Sequence, residues 1–354
     1  MKRFIAGSLF AVLLAFAWPA AYYTPPASAQ NKVSGQGKMQ FRVLRTSSDL
    51  PPEAQAVLKS AHGGFAVDTR PGKGETYFAL KGAGIVQIAS DLRSARMMPT
   101  PPPVKDTNQH NTTLVSSNGA RLLAFPGNEA RRVYVTTMEG ELVQTLEPPD
   151  PGADLGHSTV NDYFKAKGDF IPTDVEHLDG LLYITTGYSK LDFVLTARVA
   201  GSRPFRATWN NMAFGGKGTG AGQFGTGHGI TVPPGMKRID VADRPNSEID
   251  RFTPQGKYLS TVNLPKGSFP CDIQYLGRYA VVGALHGPDR TKGAPIYILE
   301  EDQVISTIMP KEELGLENFQ HIHNAVLRQV GSKLYVIAQA WNPGDFAILE
   351  QVTD

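Results

Sequence analysis

Residues 222–259, "GQFGTGHGITVPPGMKRIDVADRPNSEIDRFTPQGKYL", decide how the chain is read. Short runs rich in β-branched and aromatic residues alternate with polar ones and are cut by Gly, Pro, Asn and Asp, the pattern of successive strands joined by tight turns. The stretch reads as one complete unit of a repeat, with His228 at its entrance. Working outward, five further segments align with it on an apolar strand, a turn and a second strand such as "LYIT". They begin at Gly63, His110, Thr173, Cys271 and His323. Each unit is close to the roughly 40–50 residues of a four-stranded propeller blade. A blade cannot bury both faces of its sheet alone, so blades stack around an axis and close into a ring. The expected fold is all-β, a six-bladed β-propeller with a central channel.

The rest of the chain fits around that ring. Lys2 and Arg3, an apolar run from Phe4 to Trp18 and the small triplet Ala27-Ser28-Ala29 have the layout of a cleaved secretory signal, expected over residues 1–29. This implies an exported protein, periplasmic or secreted, with no membrane insertion after cleavage. The mature length is 354 − 29 = 325 residues. Residues 30–57 read as an extended lead-in with one strand, "MQFRVL", and the propeller is expected over 58–354. Helical pattern is confined to Glu53–Ser60 and the turn around Lys311–Leu314. With Cys271 the only cysteine, no intrachain disulfide can form and the core must carry stability. Without Lys2 and Arg3 the charge is 33 basic against 33 acidic residues, so nothing points to nucleic acid or an anionic membrane as partner. The glycine run "GGKGTGAGQF" is a structural linker: its spacing fails the dinucleotide pattern and a strand follows it instead of a helix N-terminus.

The aligned entrance position holds histidine in the second, fourth and sixth units only, at His110, His228 and His323, separated by 118 and 95 residues. Alternate blades of a six-fold ring lie about a third of a turn apart, so three imidazoles are expected to converge on the axis. Three neutral imidazoles with a position left open suit a catalytic zinc or a related divalent ion. The competing reading keeps each histidine as a blade-entry residue that ties one loop to the next. His62, His157, His177, His286 and His321 fall off the aligned position and are expected at the surface or behind the site. Tyr188, in "TTGYSK", and Arg244, in "ADRPNSEI", follow the second strand of their units, and Lys81, in "FALKGAG", occupies a comparable turn.

"PTDVEHLDGLLYITTGYSK", "GAGQFGTGHGITV" and "DVADRPNSEIDRF" resemble the catalytic core of peptidyl-α-hydroxyglycine α-amidating lyases, six-bladed members of the NHL-repeat propellers. The similarity is strongest from Pro172 to Phe252. It implies a zinc ion held by His110, His228 and His323, Tyr188 as the base for the substrate hydroxyl, and Arg244 with Lys81 at the substrate carboxylate, Lys81 standing where the family has arginine. It also implies a structural Ca2+ near the channel, bound by main-chain carbonyls and an aspartate after the third histidine, where this chain has Asn324. The family's disulfide cysteines are absent, "TTGY" replaces "SDGY", and Asn108-Gln109 stands where a proline is expected before His110. The implied activity is cleavage of a carbinolamide C–N bond in a small-molecule or peptide substrate; a closed propeller needs no partner for stability, so a monomer is expected. The alternative is a non-enzymatic propeller acting as an extracytoplasmic binding platform. A lactonase of the gluconolactonase type would need carboxylates and amides lining the channel, and the sequence offers no matching acidic set.

Overall fold

A computed structural model describes residues 32–201 and 203–353; the leader expected over residues 1–29 lies outside the described residues. Six antiparallel sheets follow one another along the chain, and five are simple four-stranded meanders. The fourth shows the logic: Gly227–Thr231 lies innermost, followed outward by Ile239–Asp243, Glu248–Phe252 and Tyr258–Asn263. The innermost strands of the other blades are Ala66–Val67, Thr113–Ser117, Asp174–Leu178, Pro270–Leu276 and Ile322–Val330. The strand periodicity puts alternate side chains on opposite sheet faces, so each blade buries residues against both neighbours. Val241 and Ile239 pack with Tyr183 and Phe214 of the third blade, and Ala242 and Ile249 with Ile273 and Val282 of the fifth.

The ring closes with a strand from the lead-in. Met39–Thr46 pairs antiparallel with Asp345–Gln351, and Ser34–Gln36 adds outside it, so the sixth sheet is built from both ends of the chain. The propeller therefore begins before residue 58, because the last sheet would otherwise present an unpaired edge. Phe41 of this strand is fully buried beside Leu327, Val336 and Leu349. The helix at Pro52–Val57 and the turn of 3-10 helix at Leu58–Ser60 fall in the expected stretch, whereas Lys311–Leu314 is turn. A further helix, Ser158–Lys165, seals the junction between the second and third blades with Val160 and Phe164. Among the described residues no helix is long and apolar enough to cross a membrane.

The glycine run is a structural turn. Lys217 bridges Phe224, which is fully buried, and a Cβ on Gly215, at φ +94°, would collide with that ring.

Because closure rests on a buried aromatic contributed from the other terminus, Phe41→Ala should lower the unfolding free energy by about 3–5 kcal/mol. Urea unfolding measures it, and a loss under about 1 kcal/mol would mean that the strand is dispensable to the ring.

Candidate functional site

His110, His228 and His323 are each buried at a blade entrance. Every one uses Nδ1 in the same way. His110 Nδ1–H donates to the Thr173 carbonyl at 2.6 Å, His228 Nδ1–H to that of Cys271 at 2.6 Å, and His323 Nδ1–H to that of Gly63 at 2.8 Å. The acceptors are the aligned entrance residues of the third, fifth and first blades, so all six units contribute to one ring of imidazole–carbonyl pairs. A carbonyl can only accept, so each neutral ring carries its proton on Nδ1 and presents a bare Nε2 lone pair.

Two of those lone pairs face each other, and the His228 ring stands beside them. His110 and His323 Nε2 are 3.3 Å apart, and the ring centres of the three imidazoles are separated by 4.6, 4.6 and 5.1 Å. With both protons committed to carbonyls, neither ring supplies a hydrogen between the two nitrogens, and the pair needs a donor or a cation from outside. Tetrahedral coordination with Zn–N bonds of roughly 2.0–2.1 Å sets ligand nitrogens about 3.3–3.4 Å apart, which this spacing fits. Burial, the largest cause, holds all three imidazoles well below their ordinary pKa and keeps them neutral, the form that binds metal.

Tyr188 and Arg244 meet this cluster. The Tyr188 hydroxyl lies 3.2 Å from His110 Nε2 and 3.1 Å from His228 Nε2, and Arg244 Nη1 donates to it at 2.8 Å. One hydroxyl hydrogen cannot serve both nitrogens, a second deficit of positive charge at the same point. Burial pushes the phenol above its ordinary pKa, with the guanidinium pulling against it. Arg244 is buried, donates its other terminal nitrogen to Cys271 Sγ at 3.1 Å, and leaves Nε without a partner. Neither partner is a carboxylate, so a guanidinium stands beside the cluster with capacity for an incoming anion. Lys81 is placed differently: it is half exposed and pairs with Glu129 of the next blade at 2.5 Å.

Sequence reasoning set aside one residue that belongs here. His62 was expected at the surface or behind the site, yet its ring is 4.4 Å from His110 and 4.2 Å from His323, with ligand-capable nitrogens within 4.8 Å of theirs. Asn108 Nδ2 donates to His62 Nδ1 at 3.0 Å, which leaves the proton of the neutral ring on Nε2. His62 is thus a donor beside three acceptors. The signal was available: His62 directly precedes Gly63, whose carbonyl orients His323.

One residue further along each innermost strand lies a second tier. Its positions are Gly64, Asn111, Asp174, Gly229, Asp272 and Asn324. Asn324 Nδ2 donates to Asp272 Oδ2 at 2.9 Å, and Asn324 Oδ1 is buried without a partner. Burial, and then the Asp272 charge, push Asp174 well above its ordinary pKa; Asp272 is pushed up to about 6 chiefly by burial. The two glycines leave the space: a Cβ on Gly64 would strike the Asn111 amide, and one on Gly229 would come 2.7 Å from Asp272 Oδ1. A cavity of about 200 Å³ opens below, lined by Asn111, Asp272, Glu176 and Gln274. The channel therefore contains the carboxylate and amide set that the sequence reading failed to find, because each member reads locally as an ordinary polar residue at a strand start.

No family model matches the chain, and no curated relative does. Solved structures similar to it are propellers of low sequence identity. A streptogramin B lyase is 14% identical with a TM-score of 0.50, the match covering 91% of this chain and 99% of that one. A catalytically inactive virginiamycin B lyase from Staphylococcus aureus, with quinupristin, is 13% identical with a TM-score of 0.49, covering 91% and 100%. A chain of the nidogen/laminin complex is 10% identical with a TM-score of 0.47, covering 79% and 94%. At such identities what this chain has in common with the streptogramin B lyase is the six-bladed β-propeller fold.

Proposed function

We propose that the protein is a metal-dependent carbon–nitrogen lyase of the peptidyl-hydroxyglycine amidating type, of NHL-repeat kind, cleaving a carbinolamide to an amide and glyoxylate. The observation that carries the proposal is the facing Nε2 pair of His110 and His323, with His228 Nε2 joined to it through the Tyr188 hydroxyl, each ring oriented by a backbone carbonyl, and an unneutralised guanidinium beside them. His110, His228 and His323 would hold a zinc ion, which when bound lowers the pKa of a hydroxyl in contact with it. The chain's own residues do the rest. Arg244 grips the substrate carboxylate and fixes the carbinol carbon over the imidazoles. Tyr188, whose oxygen is in contact with two of the imidazoles and with Arg244, takes the proton of the substrate hydroxyl once Arg244 and the bound cation hold it as phenolate against the effect of burial. The electron pair of that O–H bond becomes the aldehyde π bond, the C–N bond breaks with its pair on nitrogen, and Tyr188 returns the proton to the amide nitrogen.

A calcium ion in the oxygen tier, on Asp174, Asp272 and Asn324 Oδ1, belongs to the same proposal; oxygen donors suit a hard cation. That tier also favours one second reading, lactone hydrolysis at a divalent ion in the channel. It leaves Tyr188 and Arg244 without work, so glyoxylate release against lactone opening decides between the two.

Four substitution outcomes check the assignment. Replacing His110, His228 or His323 singly by Ala should cut bound zinc from near one equivalent to a small fraction and abolish glyoxylate release; unchanged zinc by elemental analysis removes the basis of the mechanism. Tyr188→Phe should lower kcat by about 10²–10⁴-fold with zinc retained, as loss of a positioned proton acceptor does. Arg244→Ala should act chiefly through KM, with Arg244→Lys only partly restoring it. Lys81→Ala, which breaks only an exposed ion pair, should alter kcat/KM by no more than about threefold. An equal loss in the Lys81 and Arg244 variants would place both at the carboxylate.

A further outcome concerns pH. The Glu176 carboxyl is pushed up to about 8, mainly by burial, so the folded state binds a proton that the unfolded state releases. Its stabilising effect is complete below the unfolded value and is lost as pH rises through about 8. The depressed histidines act in the opposite direction, and only below their unfolded value of about 6.5. Metal-stripped protein should therefore lose stability between about pH 6.5 and 8.5, and Glu176→Gln should flatten that slope in urea titrations. A slope unchanged in the variant would assign the effect to other groups.

A further inference from the structure

A second group of potential ligands lies away from the axis, between the third and fourth blades. Asp243 ends the second strand of the fourth blade, and Glu248 and Asp250 lie on the third. The register pairs Asp243 with Glu248 and Val241 with Asp250, so all three carboxylates project from one sheet face, the face whose Val241 packs on the third blade. Their oxygens come within 4.8 Å of one another. Asp243 and Asp250 are fully buried.

The donors around them do not satisfy this charge. Asp243 accepts the N–H groups of Gly225 and Thr226 at 3.0 Å and the Asn246 amide at 2.6 Å. Asp250 Oδ1 accepts the Thr261 hydroxyl at 2.5 Å, while Oδ2, also buried, has no partner. Asp192, whose carboxylate feels Asp243, likewise holds one oxygen by the Gly227 N–H and has the other buried and unpaired. These donors are neutral N–H and O–H groups, and Lys217, the cation that acts on Asp192 and Asp243, is exposed. A buried carboxylate oxygen without a donor is costly, and several in one place need positive charge.

We infer that Asp243, Glu248 and Asp250 form a binding site for a hard divalent cation of the calcium class, separate from the axial channel. Oxygen-only donors, three carboxylates and part-exposed Glu248 as the way in suit calcium rather than zinc. The location gives the site a purpose. Asp243 and Glu248 flank the four-residue turn Arg244–Ser247, so one ion joins both ends of the loop that carries Arg244. Ser247 holds a φ of +63° in that turn, a strained conformation that a cross-link at its base would steady.

The test uses the full chain, stripped with EDTA and reloaded with zinc. Calcium is titrated by calorimetry, and thermal unfolding is followed with and without it, in wild type, Asp250→Asn, Glu248→Gln and Asp272→Asn. The expected result is a calcium site that Asp250→Asn or the more exposed Glu248→Gln weakens at least tenfold, that Asp272→Asn leaves intact, and that raises the unfolding temperature. Zinc content stays unchanged throughout. Should Asp250→Asn fail to fold, Glu248→Gln carries the comparison. The inference is overturned by three results: no calcium binding, calcium binding removed only by Asp272→Asn, or an Asp250→Asn variant stabilised without calcium in a chain that binds none. The last would mean that these carboxyls share protons. Because the readouts are calcium affinity and stability, they stand or fall independently of glyoxylate release.

Discussion

The bond from a histidine Nδ1–H to the entrance carbonyl of the next blade is the interaction on which the site depends. It occurs three times around the axis, and each occurrence does two things. It satisfies a buried polar group that would otherwise cost stability, and it fixes the tautomer, turning a lone pair inward. The two effects are inseparable. A ring that kept the histidines but lost the carbonyls could protonate either nitrogen, and the axis would no longer be a place of concentrated negative potential. One of the three bonds, His323 to Gly63, joins the last blade to the first across the seam of the ring. The geometry at the axis therefore relies on closure by Met39–Thr46, far out at the rim.

Closure also explains why the centre can be so strained electrostatically. Bare nitrogens 3.3 Å apart, a phenol facing two of them and a guanidinium lacking a carboxylate would each relax in water by hydration or protonation. Here protonation is blocked by burial, which holds the imidazoles well below their ordinary pKa. The strain cannot dissipate because the groups sit on the inner strands and short turns of four different sheets. Such a geometry would suit charge arriving from outside, a cation for the nitrogens and an anion for Arg244.

The propeller was legible because four-stranded units leave a repeated pattern of strands and turns, and the same register brought His110, His228 and His323 into line. Tyr188 and Arg244 were legible as turn residues at equivalent places. Register fixes where a backbone sits but not where a long side chain goes. Lys81 occupies the same turn, yet its flexible stem lets it pair with Glu129 at the exposed rim. The closing strand was visible as "MQFRVL", but its partner was not, since pairing between residues some 300 apart in sequence leaves no local trace. His62 escaped because it stands one position before the alignment begins. Asp174 and Asp272 escaped because single polar residues at strand starts are commonplace, and only the ring makes them neighbours. The helix Ser158–Lys165 carries just Val160 and Phe164 on its buried face, too short a pattern to separate from loop.

Stepwise along the inner strands, the channel changes chemistry from nitrogen to oxygen. The entrance tier offers imidazoles and the next tier carboxylates and amides. Borderline-soft cations favour the first and hard cations the second, so adjacent tiers would sort two different ions without a gate between them. The glycines at positions 64 and 229 are what allow the tiers to be adjacent, since a side chain at either would occupy the space that Asn111 or Asp272 needs. A cation in the oxygen tier would also remove the proton that burial and mutual repulsion keep on the Asp174–Asp272 pair. Its positive charge would then stand directly beneath the imidazoles and oppose their protonation further. A cation there would act on the imidazoles electrostatically, through a single residue's length of strand and with no movement of the fold.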